Sequence, residues 1–407
     1  MSVNFDVDII VVGGGHAGIE AVNSAAKSGL NVLLITAYVD SIGQMSCNPA
    51  IGGIAKGIIV REIDALGGAM GKIIDRAGIQ FRMLNKSKGT AVWGNRAQAD
   101  KIKYRELCRK WIEKIENVYI YQDMATGIIV KNSKVSGVVT ESGKKIFSRA
   151  VILAMGTFLN GLAHIGMNSF KCGRSGERAS HYLSESIQEY GIKAGRLKTG
   201  TPARVDGRTV DFSSLSKQNG DDDPWPFSFS TNEILKNVIC CWETKTCKDT
   251  HNIIRDNIKK SPLFSGKIKG IGPRYCPSIE DKVIRFGDRS GHTLFLEPEG
   301  LNTNEMYLNG LSTSFSVEIQ QKLLKSIPAF RNVKIVRPAY AIEYDFFYPE
   351  QLYKTLESRI IKNLYFAGQI NGTSGYEEAA CQGLLAGINA VKKIKNKEEI
   401  VLGRNTS

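Results

Sequence analysis

The residues Asp8–Gly18, DIIVVGGGHAG, place this chain in a fold class before anything else is read. Asp8–Val12 is a short apolar run of the kind buried on both faces of a parallel sheet. Gly13-Gly14-Gly15-His16-Ala17-Gly18 follows at once. The sequence then reads as a helix as far as Ser28, with Gly29 placed to stop it. Asn31–Thr36, NVLLIT, is the next apolar strand. Together these form a βαβ unit. In the spacing Gly13-x-Gly15-x-x-Gly18 the first glycine permits a tight turn and the second lets a pyrophosphate approach the backbone. The third lets helix and strand pack closely. The helix N-terminus adds N–H donors and the positive end of a dipole. The acidic residue that commonly binds a ribose hydroxyl about 20 residues on is missing. Thr36 stands in its place, with no carboxylate before Asp40.

Further along, Val118–Ser148 carries short alternating runs, GIIV at 127–130 and VSGVV at 135–139, split by turn clusters at Asn132-Ser133 and Ser142-Gly143. That pattern reads as an antiparallel meander. Ala150–Gly156, AVILAMG, reads as another buried strand. Residues 201–272 lose the βαβ rhythm and read as an inserted domain. Asn363–Gly368, NLYFAG, is a further buried strand. A glycine-rich loop follows, and then a helix over Tyr376–Lys395 with Ala and Gly along one side. A nucleotide unit, a meander, a strand ending Ala154-x-Gly156 and a distal strand ending Ala367-Gly368 is the order of the FAD domain in two-dinucleotide-binding flavoproteins. The expected fold is therefore α/β: a Rossmann-like FAD-binding domain of that type, with an antiparallel meander and an inserted smaller α/β domain. The first part of the FAD-binding domain takes residues 1–200, the insert 201–272 and the second part 273–397. Residues 398–407 form a polar tail. In this frame Gln369 stands where many such proteins carry an Asp, and its amide adds no negative charge beside phosphates.

A chain of 407 residues allows roughly two to three domains and a core that needs neither disulfides nor metals. With 42% apolar and 23% charged residues, disorder and fibrous repeats are excluded. No run approaches the roughly 18 apolar residues of a membrane span. The start MSVNFDVDII lacks the basic and apolar regions of a secretory signal. Eight irregularly spaced cysteines point to free thiols in a reducing cytoplasm. Cys240, Cys241, Cys247 and His251 match no zinc spacing, and no metal is expected. The net charge is +14. Between Arg82 and Lys110, nine Lys/Arg face only Asp100 and Glu106. This cluster suits either a polyanion or a solvated helix face beside cofactor phosphates. Tyr104, Cys108, Trp111 and Ile115 recur at helical spacing, so they face the core and turn the cations of that helix outward.

Longer segments carry a resemblance: FDVDIIVVGGGHAGIEA at 5–21, GQMSCNPAIGGIAKG at 43–57, GRLKTGTPARVDGRT at 195–209, GIGPRYCPSIEDKVIRF at 270–286, LEPEGLNTNEMYLNG at 296–310, RPAYAIEYDFF at 337–347 and FAGQINGTSGYEEAACQGLLAG at 366–387. In content and order the chain closely resembles the MnmG (GidA) family of tRNA uridine 5-carboxymethylaminomethyl modification enzymes. The resemblance implies FAD, NADH, a homodimer and a GTPase partner, MnmE. It also implies transfer of a one-carbon unit from methylene-tetrahydrofolate, as an aminomethyl or carboxymethylaminomethyl group, to carbon five of a wobble uridine in tRNA. The matching FAD positions are Gly13, Gly14, Gly15, His16, Ala17, Gly18, Ala125, Ser180 and Gln369. The NAD-associated stretch is Gly272, Pro273, Arg274, Tyr275, Cys276, Pro277, Ser278, Ile279, Glu280, Asp281, Lys282, Val283, Ile284, Arg285 and Phe286.

Cys47 and Cys276 are the implied catalytic thiols. Carbon five of uracil is a poor nucleophile until a thiolate adds to carbon six, and neighbouring cations favour the thiolate. Lys56 is near Cys47 in sequence; Arg274, Lys282 and Arg285 are near Cys276. Cys108, Cys172 and Cys381 read as core thiols, and His16 as a locally packed residue. Family members continue into a helical C-terminal domain that contributes to MnmE and tRNA binding, and this chain stops about where it would begin. Two alternatives remain. One is a folate/FAD-dependent tRNA uridine methyltransferase, a shorter flavoprotein without that domain. The other is a flavin-containing tRNA-binding core without turnover.

Overall fold

A computed structural model describes residues 6–272, 277–287 and 289–405 of the chain. Within it β1 (Val7–Val12) and β2 (Val32–Thr36) run parallel, Ile9 opposite Val32 and Val12 opposite Ile35, with α1 (His16–Ala26) crossing between them. Alternate β1 side chains serve different cores. Ile9 and Val11 pack with α1, while Ile10 and Val12 join the apolar cluster on the opposite face. A strand covered on both sides can be apolar throughout, which accounts for the unbroken run DIIVV.

The chain then leaves this sheet. β3 (Ala50–Gly52), α2 (Lys56–Ala65), α3 (Met70–Ala77), β4 (Gly78–Leu84) and β5 (Gly94–Ala99) build a small antiparallel sheet in the order β3-β5-β4. Helix α4 (Lys101–Glu113) brings the chain back, its start capped by the Asp100 carboxylate on the Ile102 and Lys103 N–H groups. β6 (Val118–Gln122) lies parallel to β2, with Val118 opposite Val32. The meander expected from Val118 therefore begins later. β6 extends the parallel sheet because Val118 and Ile120 pack on the cluster that holds α1 and α4.

The meander itself is β7 (Ala125–Lys131), β8 (Lys134–Thr140) and β9 (Lys145–Leu153). β9 serves two ladders. Lys145–Phe147 pair antiparallel with β8, and Ala150–Leu153 run parallel to β1. The strand read separately at Ala150–Gly156 is thus the far end of the meander's last strand. Next come β10 (Leu162–Ile165), β11 (Asn168–Lys171), α5 (Leu183–Gln188) and β12 (Ala194–Thr201).

A second unit follows. β13 (Arg204–Asp206), β14 (Ser216–Gln218), β15 (Cys241–Lys245), β16 (Thr293–Pro298), β17 (Glu305–Asn309) and β18 (Ile335–Arg337) form one sheet in the order β14-β15-β16-β17-β13-β18. Helices α6 (Lys248–Asn257), α7 (Ile279–Arg285) and α8 (Val317–Lys325) share its apolar core around Leu294, Leu308 and Phe315. The boundary at 272 falls inside this sheet. The sheet is incomplete until residue 337, because its first strand, β13, pairs on both sides with late strands, β17 and β18. Between β14 and β15 the chain also returns to the first unit. There Phe227 is fully buried, and Asp75 accepts from the Phe227 and Ser228 N–H groups at 2.8 and 2.9 Å.

β19 (Tyr340–Phe347) joins a four-stranded antiparallel sheet, β11-β10-β19-β12, and β20 (Leu364–Phe366) completes the parallel sheet beside β9. The last helix, α9 (Tyr376–Ile394), lies directly on α1. A Cβ on Gly383 would stand 1.9 Å from the Ala17 carbonyl oxygen, and one on Gly387 2.1 Å from Ser24 Oγ. The small residues of AACQGLLAGINA are therefore where two helix backbones meet. The result is a mixed α/β, Rossmann-like fold. No helix of the described residues is long and apolar enough to cross a membrane.

Candidate functional site

Where β1 ends, the chain must turn sharply into α1. Gly13 does so at φ +106°, and a Cβ there would lie 2.4 Å from the Ala154 carbonyl oxygen at the end of β9. A Cβ on Gly18 would come within 1.8 Å of the Gly13 carbonyl oxygen, so the third glycine lets α1 sit on its own turn. Gly15 is different: open space surrounds the place of its missing Cβ, and no side chain caps α1. First-turn N–H groups and the positive dipole end are left for an anion in front of the helix.

That front is a cleft of about 390 Å³, within the range usual for small-molecule sites. Gly13, Gly14, Gly15, His16, Ala17, Ala125, Ser180 and Gln369 all line it. Gly18 packs beneath. Ser180 Oγ donates to the Ala125 carbonyl at 3.3 Å, tying α5's approach to the start of β7. Thr36 ends β2 at the cleft wall with its hydroxyl 3.4 Å from the Tyr38 carbonyl. Uncapped amides suit a diphosphate, and a hydroxyl at the end of β2 suits a ribose, so the donor set fits a dinucleotide. His16 is buried and stacks on Tyr376 at 4.4 Å, its Nε2 without a hydrogen-bond partner among the described residues. Burial, and then the Arg174 charge, hold its imidazole down to about 3.

Cys47 lines the same cleft. Its loop is fastened from several distant elements. The Cys47 N–H donates to Tyr376 Oη at 2.7 Å, and the Gly52 N–H donates to Glu377 at 2.6 Å, both from the first turn of α9. Arg204 on β13 donates to the Ser46 and Cys47 carbonyls at 3.2 and 3.4 Å, and Arg174 donates to Ser46 Oγ at 2.7 Å. The sulfur lies 3.0 Å from Tyr307 Oη and 3.7 Å from the Gly200 carbonyl. Arg204 stands 5.1 Å over the Tyr307 ring and pairs with Glu299 at 2.9 Å; Lys101 reaches the same carboxylate at 3.0 Å. All three charges are buried. Burial pushes the Lys101 ammonium down to about 8, whereas for Arg204 the Glu299 carboxylate outweighs burial and keeps the charge. Arg204–Glu299 is thus the main pair and Lys101 its second cation.

Lys56, the cation nearest Cys47 in sequence, is occupied elsewhere. Its Nζ lies 2.9 Å from Glu377 and 2.8 Å from Glu378. Burial opposes its charge, yet the two carboxylates hold it above the ordinary lysine range. The cation beside the thiol loop is Arg204, which sequence reasoning missed together with Tyr307, Tyr376, Glu299 and Lys101. A signal existed. Charged residues inside apolar strand patterns, as in ARVD and LEPE, need buried partners.

Cys276 and its neighbours Pro273, Arg274 and Tyr275 lie outside the described residues. In the rest of the stretch 272–286, Ser278 caps α7 and accepts from the Asp281 N–H, while Ile279, Glu280 and Val283 are buried in the second unit. None of its described residues lines the cleft. Cys108 and Cys172 are buried and Cys381 is half-buried on α9. Cys247 starts α6, its sulfur 3.2 Å from the Ser326 carbonyl, and His251 bonds Thr246 at 2.8 Å. On α4, Tyr104, Cys108 and Ile112 face inward, and Lys103 and Lys110 are exposed. Lys101 turns inward to Glu299 instead.

Known proteins match this chain over nearly all of its length. The family model for glucose inhibited division protein A matches residues 8–398. The chain is 58% identical over 400 residues to the tRNA uridine 5-carboxymethylaminomethyl modification enzyme MnmG of Thermodesulfovibrio yellowstonii, covering 98% of this chain and 64% of that protein. It is 57% identical, with the same coverage, to the MnmG of Chlorobium phaeobacteroides. The crystal structure of Aquifex aeolicus GidA superposes with a TM-score of 0.94 at 54% identity, over 98% of this chain and 67% of that one. The chain spans 64% of the length of these curated relatives. It belongs to the glucose inhibited division protein A (GidA) family.

Proposed function

We propose that this chain is the cofactor- and thiol-bearing portion of an MnmG-type tRNA uridine-modifying flavoenzyme and that its cleft binds FAD. One observation carries the reading: the anion-ready turn before α1 and the sulfur of Cys47 line a single cleft. Bound FAD would supply two-electron redox chemistry there. The first-turn amides of α1 would hold its diphosphate, Thr36 a ribose hydroxyl, and Gln369 the neighbouring polar groups. Arg204 and Arg174 hold the 46–48 loop so that Cys47 can meet a uracil ring. Addition of its thiolate to carbon six makes carbon five nucleophilic towards an electrophilic one-carbon unit. Loss of the carbon-five proton then expels the sulfur. Cys276 is the second thiol of the proposal.

NADH at the stretch 272–286, methylene-tetrahydrofolate as one-carbon donor, the MnmE GTPase, a homodimer and a cytoplasmic location belong to the same proposal, on the strength of the family. Exposed Lys103 and Lys110 suit tRNA phosphates. Nucleoside mass spectrometry of tRNA from a deletion strain tests it. Carboxymethylaminomethyl-uridine disappears and is not restored by Cys47→Ser. Loss of methyl-uridine instead would make the chain a tRNA uridine methyltransferase, and a colourless purified protein would remove FAD from the account.

A further inference from the structure

The hydrogen bond between Cys47 Sγ and Tyr307 Oη joins the two units of the molecule. Cys47 sits on the loop before β3, whereas Tyr307 comes from β17 in the middle of the six-stranded sheet. The phenol is 4% exposed, and its place is set from behind by Arg204, whose guanidinium lies over the ring and is itself held by Glu299. Burial, then the proximity of Cys47, keep the Tyr307 hydroxyl well above the ordinary tyrosine range, so it stays protonated and able to donate. The sulfur's other partner, the Gly200 carbonyl at 3.7 Å, is an acceptor and serves a thiol but not a thiolate. Among the described residues the surroundings therefore hold one hydrogen-bond acceptor for the resting thiol and one donor for the ionised sulfur.

We infer that Tyr307 is a positioning residue that donates its phenolic hydrogen to the Cys47 sulfur and so sustains the thiolate, linking that thiol's reactivity to the docking of the six-stranded unit. The inference rests on the reading that Cys47 is the reacting sulfur. Its test needs neither tRNA nor turnover, so a failed modification assay and a failed alkylation assay are separate results.

The experiment follows alkylation of Cys47 by iodoacetamide across pH, in the full chain at one flavin occupancy shared by all variants, with the site identified by peptide mass spectrometry. Tyr307→Phe keeps the ring under Arg204 and removes only the donor. A hydrogen bond to a charged sulfur should slow alkylation about tenfold at about pH 7 when lost. The two rates should converge at about pH 9.5, where an ordinary thiol is ionised without help. An unchanged profile overturns the inference. So does an equal loss at every pH, which is what a purely structural role in holding the loop would give. Replacing Tyr307 by 3-fluorotyrosine keeps the size of the side chain and strengthens the donor. It should raise the rate at about pH 7 about twofold or more, and it decides the matter alone if Tyr307→Phe does not fold. No rise overturns the inference.

Discussion

The two ends of the cleft are built in opposite ways. The turn from β1 into α1 is one continuous stretch, and two of its glycines answer constraints imposed by a residue close in sequence or by the adjoining strand end: Gly18 against Gly13, Gly13 against Ala154. The thiol end is assembled from residues 46–48, 101, 174, 204, 299, 307 and 376, brought together by pairing of β13 with β17 and by the first turn of α9. The first end depends on backbone shape, the second on buried charge. They should fail differently when altered.

The largest effect is expected at the thiol end. Arg204→Met leaves Glu299 buried with Lys101 alone and frees the Ser46 and Cys47 carbonyls, which should cost ~3–5 kcal/mol by urea unfolding. A cost under ~1 kcal/mol would mean the charge cluster does not hold this half. At the turn, Gly18→Ala drives a Cβ into the Gly13 carbonyl and should cost ~1–3 kcal/mol together with FAD retention. Gly15→Ala, whose Cβ meets open space, should keep the melting temperature and weaken FAD binding alone. Equal stability losses in the two variants would erase the distinction between a packing glycine and an access glycine.

The junction between the ends is His16. Its folded-state pKa of about 3 lies below the unfolded value of 6.5, so between those values the unfolded chain takes up a proton that the folded one refuses. His16 alone therefore contributes a loss of up to ~1.4 kcal/mol per pH unit as pH falls through that window, opposed by buried Glu20, whose carboxyl burial pushes up to about 7. His16→Gln should flatten this slope in urea midpoints measured from pH 6.5 downward; an identical slope would assign the acid sensitivity to other groups. The smallest effect lies outside the cleft. On the proposed reading of α4 as a tRNA-facing surface, Lys110→Ala should lower the salt dependence of tRNA binding by about one unit of slope without touching stability.

The contrast also explains what could be read in advance. The turn, the parallel strands and the α9 seam were legible because their constraints act locally or repeat with a fixed period. Of the positions read for FAD, all but the packing glycine Gly18 line the cleft, whereas no described residue of the NAD-associated stretch 272–286 does. The partners of Cys47 were not legible. Nearness in sequence offered Lys56, but two carboxylates of α9 claim it, and the cation that reaches the thiol loop arrives from β13. β6 was misplaced for a related reason: an alternating strand looks alike in a meander and at the edge of a parallel sheet. Only the packing of Val118 and Ile120 against the helical side separates the two.

The central claim is that the phosphate-ready turn and Cys47 share one space. Titrating FAD into flavin-free protein while following alkylation of Cys47, with half-buried Cys247 in the second unit as internal reference, tests it directly. The Cys47 rate should change in step with flavin occupancy while the Cys247 rate stays constant. A Cys47 rate unchanged at saturating FAD would contradict the account.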